Sequence, residues 1–527
     1  MNNIILSDYQ KEILNWVKLG YGNAVVRALA GTGKTFILKE CVNIIQQNQK
    51  ILMLAFNKTI AEELKKSITK NNVHIKTIHG LGYSIIIKHF ENLEIPIKID
   101  DNKYKNQLNK NIAEYIDLET YTIEKLKLYK ENVLKLCSLG RSYLCKTLID
   151  LKKLLTVYNI LTIDNELEIS LKLIEWGSDY ESIVKEYNEY VLDFTDMVYI
   201  PNILNLKSSF KYDFIMVDEC QDMSVAQQGV FFKTFRRGAR FICVGDPNQL
   251  IYLFNGSSYN SYNKLLNTPN TIELPLLISY RCSKKVCEVA RTIISDFEVP
   301  EDAIEGSFNK DVSLNKIQDG DMVLCRNNQP LIKLYLKLLR LNKKCYFKNS
   351  NSISDIVNLI NLNFKEDIND LYNELYKQLI SLRDNISIND NISIEEANYN
   401  ELVVNLFDNI NVIKTIGENL NTTNELLEKI EKLFNNNELN GICLMTIHTS
   451  KGLEADNVFI LNKSLLHNKE RQSEEQEQED YNLEYVAYTR AKKTLNIISE
   501  NELPLSITYS DKTKYYKELI TIENKIY

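Results

Sequence analysis

The chain lacks the patterns that would place it in a membrane, outside the cell or around a metal cluster. No run of about 18 uninterrupted apolar residues occurs, so no helical membrane span is expected. The N-terminus MNNIILSDYQ is without the basic, apolar and small-residue order of a signal peptide. The ten cysteines stand singly, with no C-x-x-C and no paired histidines, which points to reduced structural thiols and away from zinc or iron–sulfur ligation. Positive charge is not in excess either: the formal net charge is −7, so any binding of nucleic acid must use a local basic and aromatic track. No repeat of solenoid period is present. The expectation is a soluble, intracellular chain, 44% hydrophobic and 25% charged, cytoplasmic or nuclear according to its host and with no membrane partner. At 527 residues it is too long for one hydrophobic core.

Against these absences stand two runs that speak of nucleoside triphosphate hydrolysis. The first is Ala28-Leu29-Ala30-Gly31-Thr32-Gly33-Lys34-Thr35. Backbone N–H groups of such a small-residue loop, Ala30 to Lys34, can wrap phosphates, while the Lys34 ammonium reaches the outer ones and Thr35 offers a hydroxyl to Mg²⁺. The flanks agree: Asn23 to Ala28 is β-prone and Phe36 to Gln46 has helical spacing, which aims a helix N-terminus at the phosphates. Ala28 departs from the common pattern by replacing its first glycine. The second run, Phe214-Ile215-Met216-Val217-Asp218-Glu219-Cys220-Gln221-Asp222, opens as a buried strand whose end delivers two carboxylates, Asp218 and Glu219. Asp218 would hold Mg²⁺ and Glu219 would polarise the attacking water.

The texture along the chain divides it. Residues 1–87 alternate β-prone and helical patterns, as in Ile51 to Phe56 followed by Thr59 to Lys66, the pattern of a parallel sheet. Between 88 and 190 glycine is sparse, no proline occurs after Pro96, and apolar residues recur at three and four, which predicts a helical insertion. The α/β pattern returns over 191–270 with Phe214 to Val217 and Phe241 to Val244. A second α/β unit is expected over 271–349 and 439–527, with strands at Met322 to Cys325 and Ile442 to Met445, interrupted by an Asn-rich helical insertion over 350–438. Asn468 to Asp480 reads as a solvated charged segment, and the residues after about 500 as a strand end and a short helix.

Further runs in fixed order complete a pattern: Ala55-Phe56-Asn57-Lys58, Thr77-Ile78-His79-Gly80, Gly245-Asp246-Pro247-Asn248-Gln249-Leu250-Ile251-Tyr252, Leu277-Ile278-Ser279-Tyr280-Arg281, Thr446-Ile447-His448-Thr449-Ser450-Lys451-Gly452-Leu453-Glu454 and Tyr485-Val486-Ala487-Tyr488-Thr489-Arg490-Ala491. With Gln10, this order resembles the UvrD/Rep family of superfamily 1 DNA helicases over nearly all of both α/β units. Asp193-Phe194-Thr195-Asp196-Met197 and Leu324-Cys325-Arg326-Asn327 look closest to the F-box DNA helicase branch, without an evident F-box.

The resemblance implies roles. Arg281 and Arg490 would be arginine fingers supplied from the second unit to the γ-phosphate, a role that suits their forked donors. Tyr280 would stack on adenine, Gln10 read its edge, Glu454 accept from the ribose hydroxyl, and Gln249 sense the γ-phosphate. For the strand track, Phe56, Tyr252 and Phe254 would stack on bases, and Asn57, Lys58, His79, Thr446 and His448 would supply polar and cationic backbone contacts. Burial in the core is the alternative for Phe56, Phe254, His79 and His448. Two departures stand out: Leu253-Phe254-Asn255-Gly256 replaces the family's tryptophan run, and the second insertion is shorter than in long bacterial members.

The expected architecture is therefore two RecA-like P-loop domains with parallel sheets, each with a mainly helical insertion, binding ATP and Mg²⁺ in the cleft between them. The expected function is an ATP-dependent DNA helicase and single-stranded DNA translocase, 3′ to 5′ by resemblance, acting on single strands and tailed duplexes in replication, repair or recombination. A single-strand-binding protein or other replication and repair proteins would be its partners. A translocase that clears proteins from single strands with little unwinding is the alternative. The residues alone do not separate DNA from RNA.

Overall fold

The computed structural model describes residues 5–121, 123–158, 160, 162, 164–251, 260–348, 351–389, 393–398, 401–434, 440–467 and 474–503. Tyr252 and Phe254, residues 468–473 of the charged segment expected at 468–480, and the residues after 503 lie outside the described residues. By contact density the chain forms two units, one of residues 1–281, 296–301 and 471–482, the other of residues 282–295, 302–470 and 483–527.

The first unit is built on a six-stranded sheet whose described pairings are all parallel. Its strands are β1 (Asn23–Ala28), β2 (Ile51–Ala55), β3 (Val73–Thr77), β6 (Tyr212–Val217), β7 (Phe235–Gly245) and β8 (Thr271–Leu276). They lie in the order β3-β2-β6-β7-β1-β8. Alternate side chains of β2 feed two cores. Leu52 and Leu54 join Val25, Ile215 and Val217 on one face, while Ile51, Met53 and Ala55 join Val26, Phe214 and Met216 on the other. Burial on both faces explains why these strands read as continuous apolar runs.

The helical segment of this unit comprises the helices Lys103–Tyr115, Ile123–Ser142, Leu148–Tyr158, Glu166–Ser178 and Tyr180–Tyr187. A short parallel pair closes its neck, β4 (Ile97–Ile99) with β5 (Tyr190–Leu192).

The second unit repeats the plan. Its strands β9 (Ser307–Val312), β10 (Met322–Cys325), β11 (Cys345–Phe347), β12 (Ile442–Thr446), β13 (Ala455–Ile460) and β14 (Ala491–Ile498) lie in the order β11-β12-β10-β13-β14-β9, again with parallel pairings. Helices between Asn351 and Phe434 gather around a separate core that includes Leu371, Phe407 and Ile413. No described helix is long and apolar enough to cross a membrane.

One boundary differs from expectation. Thr271 was expected to open the second unit, but β8 pairs with β1 along Asn23↔Thr271 to Ala28↔Leu276, and the first unit runs on to Arg281. A strand's own sequence fixes its two faces and not which sheet edge it joins, so the boundary could not be read locally.

Candidate active site and nucleic-acid interface

Parallel strands put all their C-terminal ends at one edge, where α/β sheets hold ligands. The register of the first sheet brings the candidate residues there. Arg27 pairs with Gly245, Leu54 with Val217, and Ala55 with Thr77, so the loops after β1, β2, β3, β6 and β7 emerge side by side.

After β1 the loop turns through Gly31 and Gly33, with φ of +73° and +86°, a region open to glycine at little cost. Gly31 has a second constraint: a Cβ there would fall 2.5 Å from the Arg281 Cβ and 2.7 Å from the Ser279 hydroxyl. Its carbonyl also accepts from the Tyr280 N–H at 2.9 Å. Ala30 is buried, and the Thr32 hydroxyl, also buried, donates to the Leu29 carbonyl at 2.9 Å, locking the turn. The helix Lys34–Ile44 then starts at Gly33 without a side-chain cap. Its first N–H groups are therefore not capped by a side chain, the condition under which a helix start can take an anion.

Opposite this helix start, the Thr35 hydroxyl donates to Oδ2 of Asp218 at 2.8 Å, and Nζ of Lys34 lies 3.9 Å from Oε2 of Glu219. Burial, and next the charge of Glu219, push the Asp218 carboxyl up to about 6, against the Thr35 hydrogen bond and Lys34. Asp246 is also raised, chiefly by burial. The positive charge of Lys34 opposes both of these shifts. Among the described residues no group of three His, Cys, Asp or Glu forms a metal cage. A hydroxyl and one carboxylate beside a phosphate cradle suit Mg²⁺, which keeps waters and takes substrate phosphate oxygens. The residues present fit both ATP and the cation.

Glu219 sits at φ +54°, a left-handed conformation rare outside glycine and asparagine. Gln221, which is buried, donates through Nε2 to Oε2 of Glu219 at 2.7 Å and accepts through Oε1 from the Asp246 N–H at 3.1 Å. Asp246 in turn accepts from Nε2 of Gln249 at 2.7 Å. A hydrogen-bonded chain therefore joins the carboxylate after β6 to the turn after β7. Sequence reasoning missed Gln221. Its position inside the run Asp218 to Asp222 was the available signal, obscured because an amide two residues from a carboxylate has no role until its partners are known.

Gln10 is buried on the helix Asp8–Leu19, where its Oε1 accepts from the Ser7 N–H at 3.0 Å in a capping box. Its amide nitrogen would lie 3.9 Å from a Cβ at Gly33, so the NH₂ end faces the phosphate loop. Tyr280 is half exposed, a ring free to stack. Arg281 lies in the first unit against Gly31, a correction to the expectation that the second unit supplies it.

In the second unit, Glu454 is exposed and 3.7 Å from Lys492. Thr446 ends β12, its hydroxyl 2.9 Å from that of Thr449, and His448 follows on the same turn, partly buried. Arg490 differs most from its expected role. It is only 1% exposed, and its guanidinium donates to the Val486, Leu453 and Ser450 carbonyls at 3.1, 3.2 and 3.4 Å. These bonds engage Nε and Nη1, and Nη2 lies 3.5 Å from the Thr489 hydroxyl.

Along the sheet edge of the first unit, Phe56 is exposed, so its ring is not core. Asn57 Oδ1 accepts from the Ile60 N–H at 2.9 Å and caps the helix Lys58–Ser67, whose first residue Lys58 is exposed. His79 stacks on Phe194 with centroids 4.0 Å apart and planes at 21°. Burial pulls the His79 pKa down to about 4, so the ring is neutral near pH 7 and any contact it makes there is polar, not cationic. Phe194, 55% exposed, is a second residue that the sequence reasoning did not assign. An exposed aromatic between two aspartates was its only signal.

Comparison with known proteins agrees with this geometry. The family model described as the UvrD/REP helicase N-terminal domain matches residues 9–270, and that described as the UvrD-like helicase C-terminal domain matches residues 441–498; together they cover more than half of the chain. The ATP-dependent DNA helicase Rep of Buchnera aphidicola subsp. Baizongia pistaciae is 23% identical over 79% of this chain and 61% of its own length. The F-box DNA helicase protein 1 of Schizosaccharomyces pombe is 25% identical over 89% of this chain and 55% of its own length. A probable DNA helicase II homolog of Mycoplasma genitalium is 24% identical over 97% and 88%. The chain thus spans less than two thirds of the first two relatives.

Proposed function

Given that the chain belongs to the UvrD/Rep helicase family, we propose that it is an ATP-dependent DNA helicase and single-stranded DNA translocase, moving 3′ to 5′, in replication, repair or recombination. The observation that supports this most is the meeting of Thr35 with Asp218 at 2.8 Å beneath an uncapped helix start, with Glu219 and Lys34 alongside. Lys34 and the N–H groups of Gly31 to Thr35 would hold the phosphates, and Thr35 and Asp218 the cation. Bound Mg²⁺ would neutralise phosphate charge during transfer. Glu219 would accept a proton from, and orient, the attacking water, and Gln249 would answer to the γ-phosphate through Asp246. Arg281, Arg490, Tyr280, Gln10 and Glu454 would complete the nucleotide contacts.

Phe56, Phe194 and His79 in the first unit, with Tyr252 and Phe254 beyond the described residues, would form a sequence-tolerant stacking track. Asn57, Lys58, Thr446 and His448 would contact the backbone. In domain terms, residues 1–87 and 191–270, extended to 281 by β8 and the following turn, would be the first RecA-like domain, and 88–190 its insertion. The remainder of 271–349, with 439–527, would be the second, and 350–438 its insertion.

Steady-state ATPase with and without single-stranded DNA tests the proposal, with Lys34→Ala and Glu219→Gln as controls, followed by separation of a 3′-tailed duplex. DNA-stimulated turnover that both variants abolish, with strand separation, supports it. Stimulated turnover without separation favours the clearing translocase, and no stimulation overturns the motor.

A further inference from the structure

Behind Phe194 lies a group of four charges that the catalytic site does not use. Lys103 opens the helix Lys103–Tyr115 and Arg141 stands in the last turn of the helix Ile123–Ser142, both in the insertion, while Asp193 and Asp196 flank Phe194 on the turn after β5. The Arg141 guanidinium grips Asp193 through two bonds of 2.7 and 2.8 Å and reaches Asp196 at 2.8 Å. Lys103 donates to Asp196 at 2.7 Å and to the Gly177 carbonyl at 2.9 Å, and the Tyr104 hydroxyl donates to Asp196 at 2.8 Å. The Lys103 and Asp196 side chains are 1% and 0% exposed.

Such a cluster is a poor way to gain stability, because well-packed apolar residues in its place are often as stable or more so. What charges supply and apolar packing does not is direction. The two aspartates already close the turn on itself: the Asp196 N–H donates to Asp193 at 2.8 Å and the Asp193 N–H to Asp196 at 3.2 Å. The Arg141 fork then fixes how that closed turn is oriented against the insertion. The turn's far side has no slack, since a Cβ at Gly82, one helical turn beyond His79, would fall 2.0 Å from the Met197 carbonyl. A shift of the turn must therefore move Phe194 across the His79 ring it stacks on.

We propose that Lys103, Arg141, Asp193 and Asp196 are positioning residues that hold the Phe194–His79 pair in register for stacking on nucleobases, so that docking of the insertion sets the grip of the first sheet edge on a single strand. This rests on the proposed function, and the test separates the two.

Lys103→Met with Asp193→Asn removes one charge of each sign and leaves Arg141 paired with Asp196. Binding of a fluorescent oligo-dT, ATPase without DNA and thermal melting are measured for this double variant, for Phe194→Ala and for the triple combination. The double variant is expected to weaken oligo-dT about tenfold, as loss of one stacked base does. Its DNA-free kcat and KM should stay within about twofold, and the triple variant should bind no worse than Phe194→Ala, because residues acting through one group are not additive. If the double variant does not fold, Arg141→Lys keeps the charge, loses the fork and is expected to give a smaller loss in the same assay. Wild-type affinity in the double variant or Arg141→Lys, or losses that add to that of Phe194→Ala, overturns the positioning role while leaving the helicase reading intact. A wild-type chain that does not bind oligo-dT, or a Phe194→Ala chain that binds it unchanged, overturns the nucleobase reading of the aromatic pair itself.

Discussion

Gln221 ties Glu219 to Asp246: one end of its amide donates to the carboxylate at 2.7 Å and the other accepts from the Asp246 N–H at 3.1 Å. The backbone donor fixes which end of the amide faces which way, and so fixes the donor on Glu219. Replacing Gln221 with Met keeps the length and removes both bonds. Nucleotide binding rests on the phosphate loop and should be spared. Expected are a KM for ATP within about twofold of wild type and a kcat lower by about tenfold or more, the pattern of an interaction that matters only in the transition state. A rise in KM with kcat preserved would refute it.

Gly31 carries two demands at once, a positive φ and room for Arg281 and Ser279. Gly31→Ala meets neither, and the near contact is a Cβ and not the end of a flexible chain. A loss of about 1–3 kcal/mol is expected from the backbone conformation alone. Thermal melting should register that loss, and titration with a fluorescent ATP analogue should show weakened binding. An unchanged melt with full binding would mean that the turn after β8 moves aside freely.

How much of this was legible in the sequence follows from where each signal lies. The phosphate loop and the strand ending at Asp218 declare themselves locally, because their chemistry needs particular residues at adjacent positions. The first sheet's core strands were visible as apolar runs. Short or half-exposed strands such as β3, β9 and β11 were not, since their alternation is brief and one face is polar. The membership of β8, the company kept by Arg281 and the burial of Arg490 depend on contacts far along the chain. The same holds for the His79–Phe194 stack: both residues were in view as letters, and only packing revealed that the His79 ring is stacked and desolvated.

That desolvation gives a pH dependence. The His79 pKa is about 4 in the folded protein, and an unfolded histidine titrates near 6.5. Between these values the unfolded chain binds the extra proton, so the contribution of neutral His79 is complete above pH 6.5 and is lost as pH falls towards 4. The full loss is on the order of 3 kcal/mol. Melting of the full chain from pH 7.5 to pH 4.5 should show a decline, and His79→Gln should flatten it. Identical slopes in the two proteins would mean that other groups control the acid limb.

Lys58 and Phe56 offer the sharpest contrast along the same edge, because motif positions two residues apart would use opposite physics. Lys58 is an exposed cation at a helix start, so its contact with a single strand would release counterions. Phe56→Ala removes a stacking surface that is 42% exposed, and stacking has little salt dependence. Affinity for oligo-dT measured from low to high salt should therefore change in two ways. Lys58→Ala should lower the slope of log affinity against log salt by about 0.7 and lose most of its effect at high salt. Phe56→Ala should leave the slope unchanged and weaken binding by about 1–3 kcal/mol at every salt concentration. If Phe56→Ala instead altered the slope, or Lys58→Ala left it untouched, the strand would not follow this edge, because neither outcome is compatible with a base on Phe56 and a phosphate at Lys58.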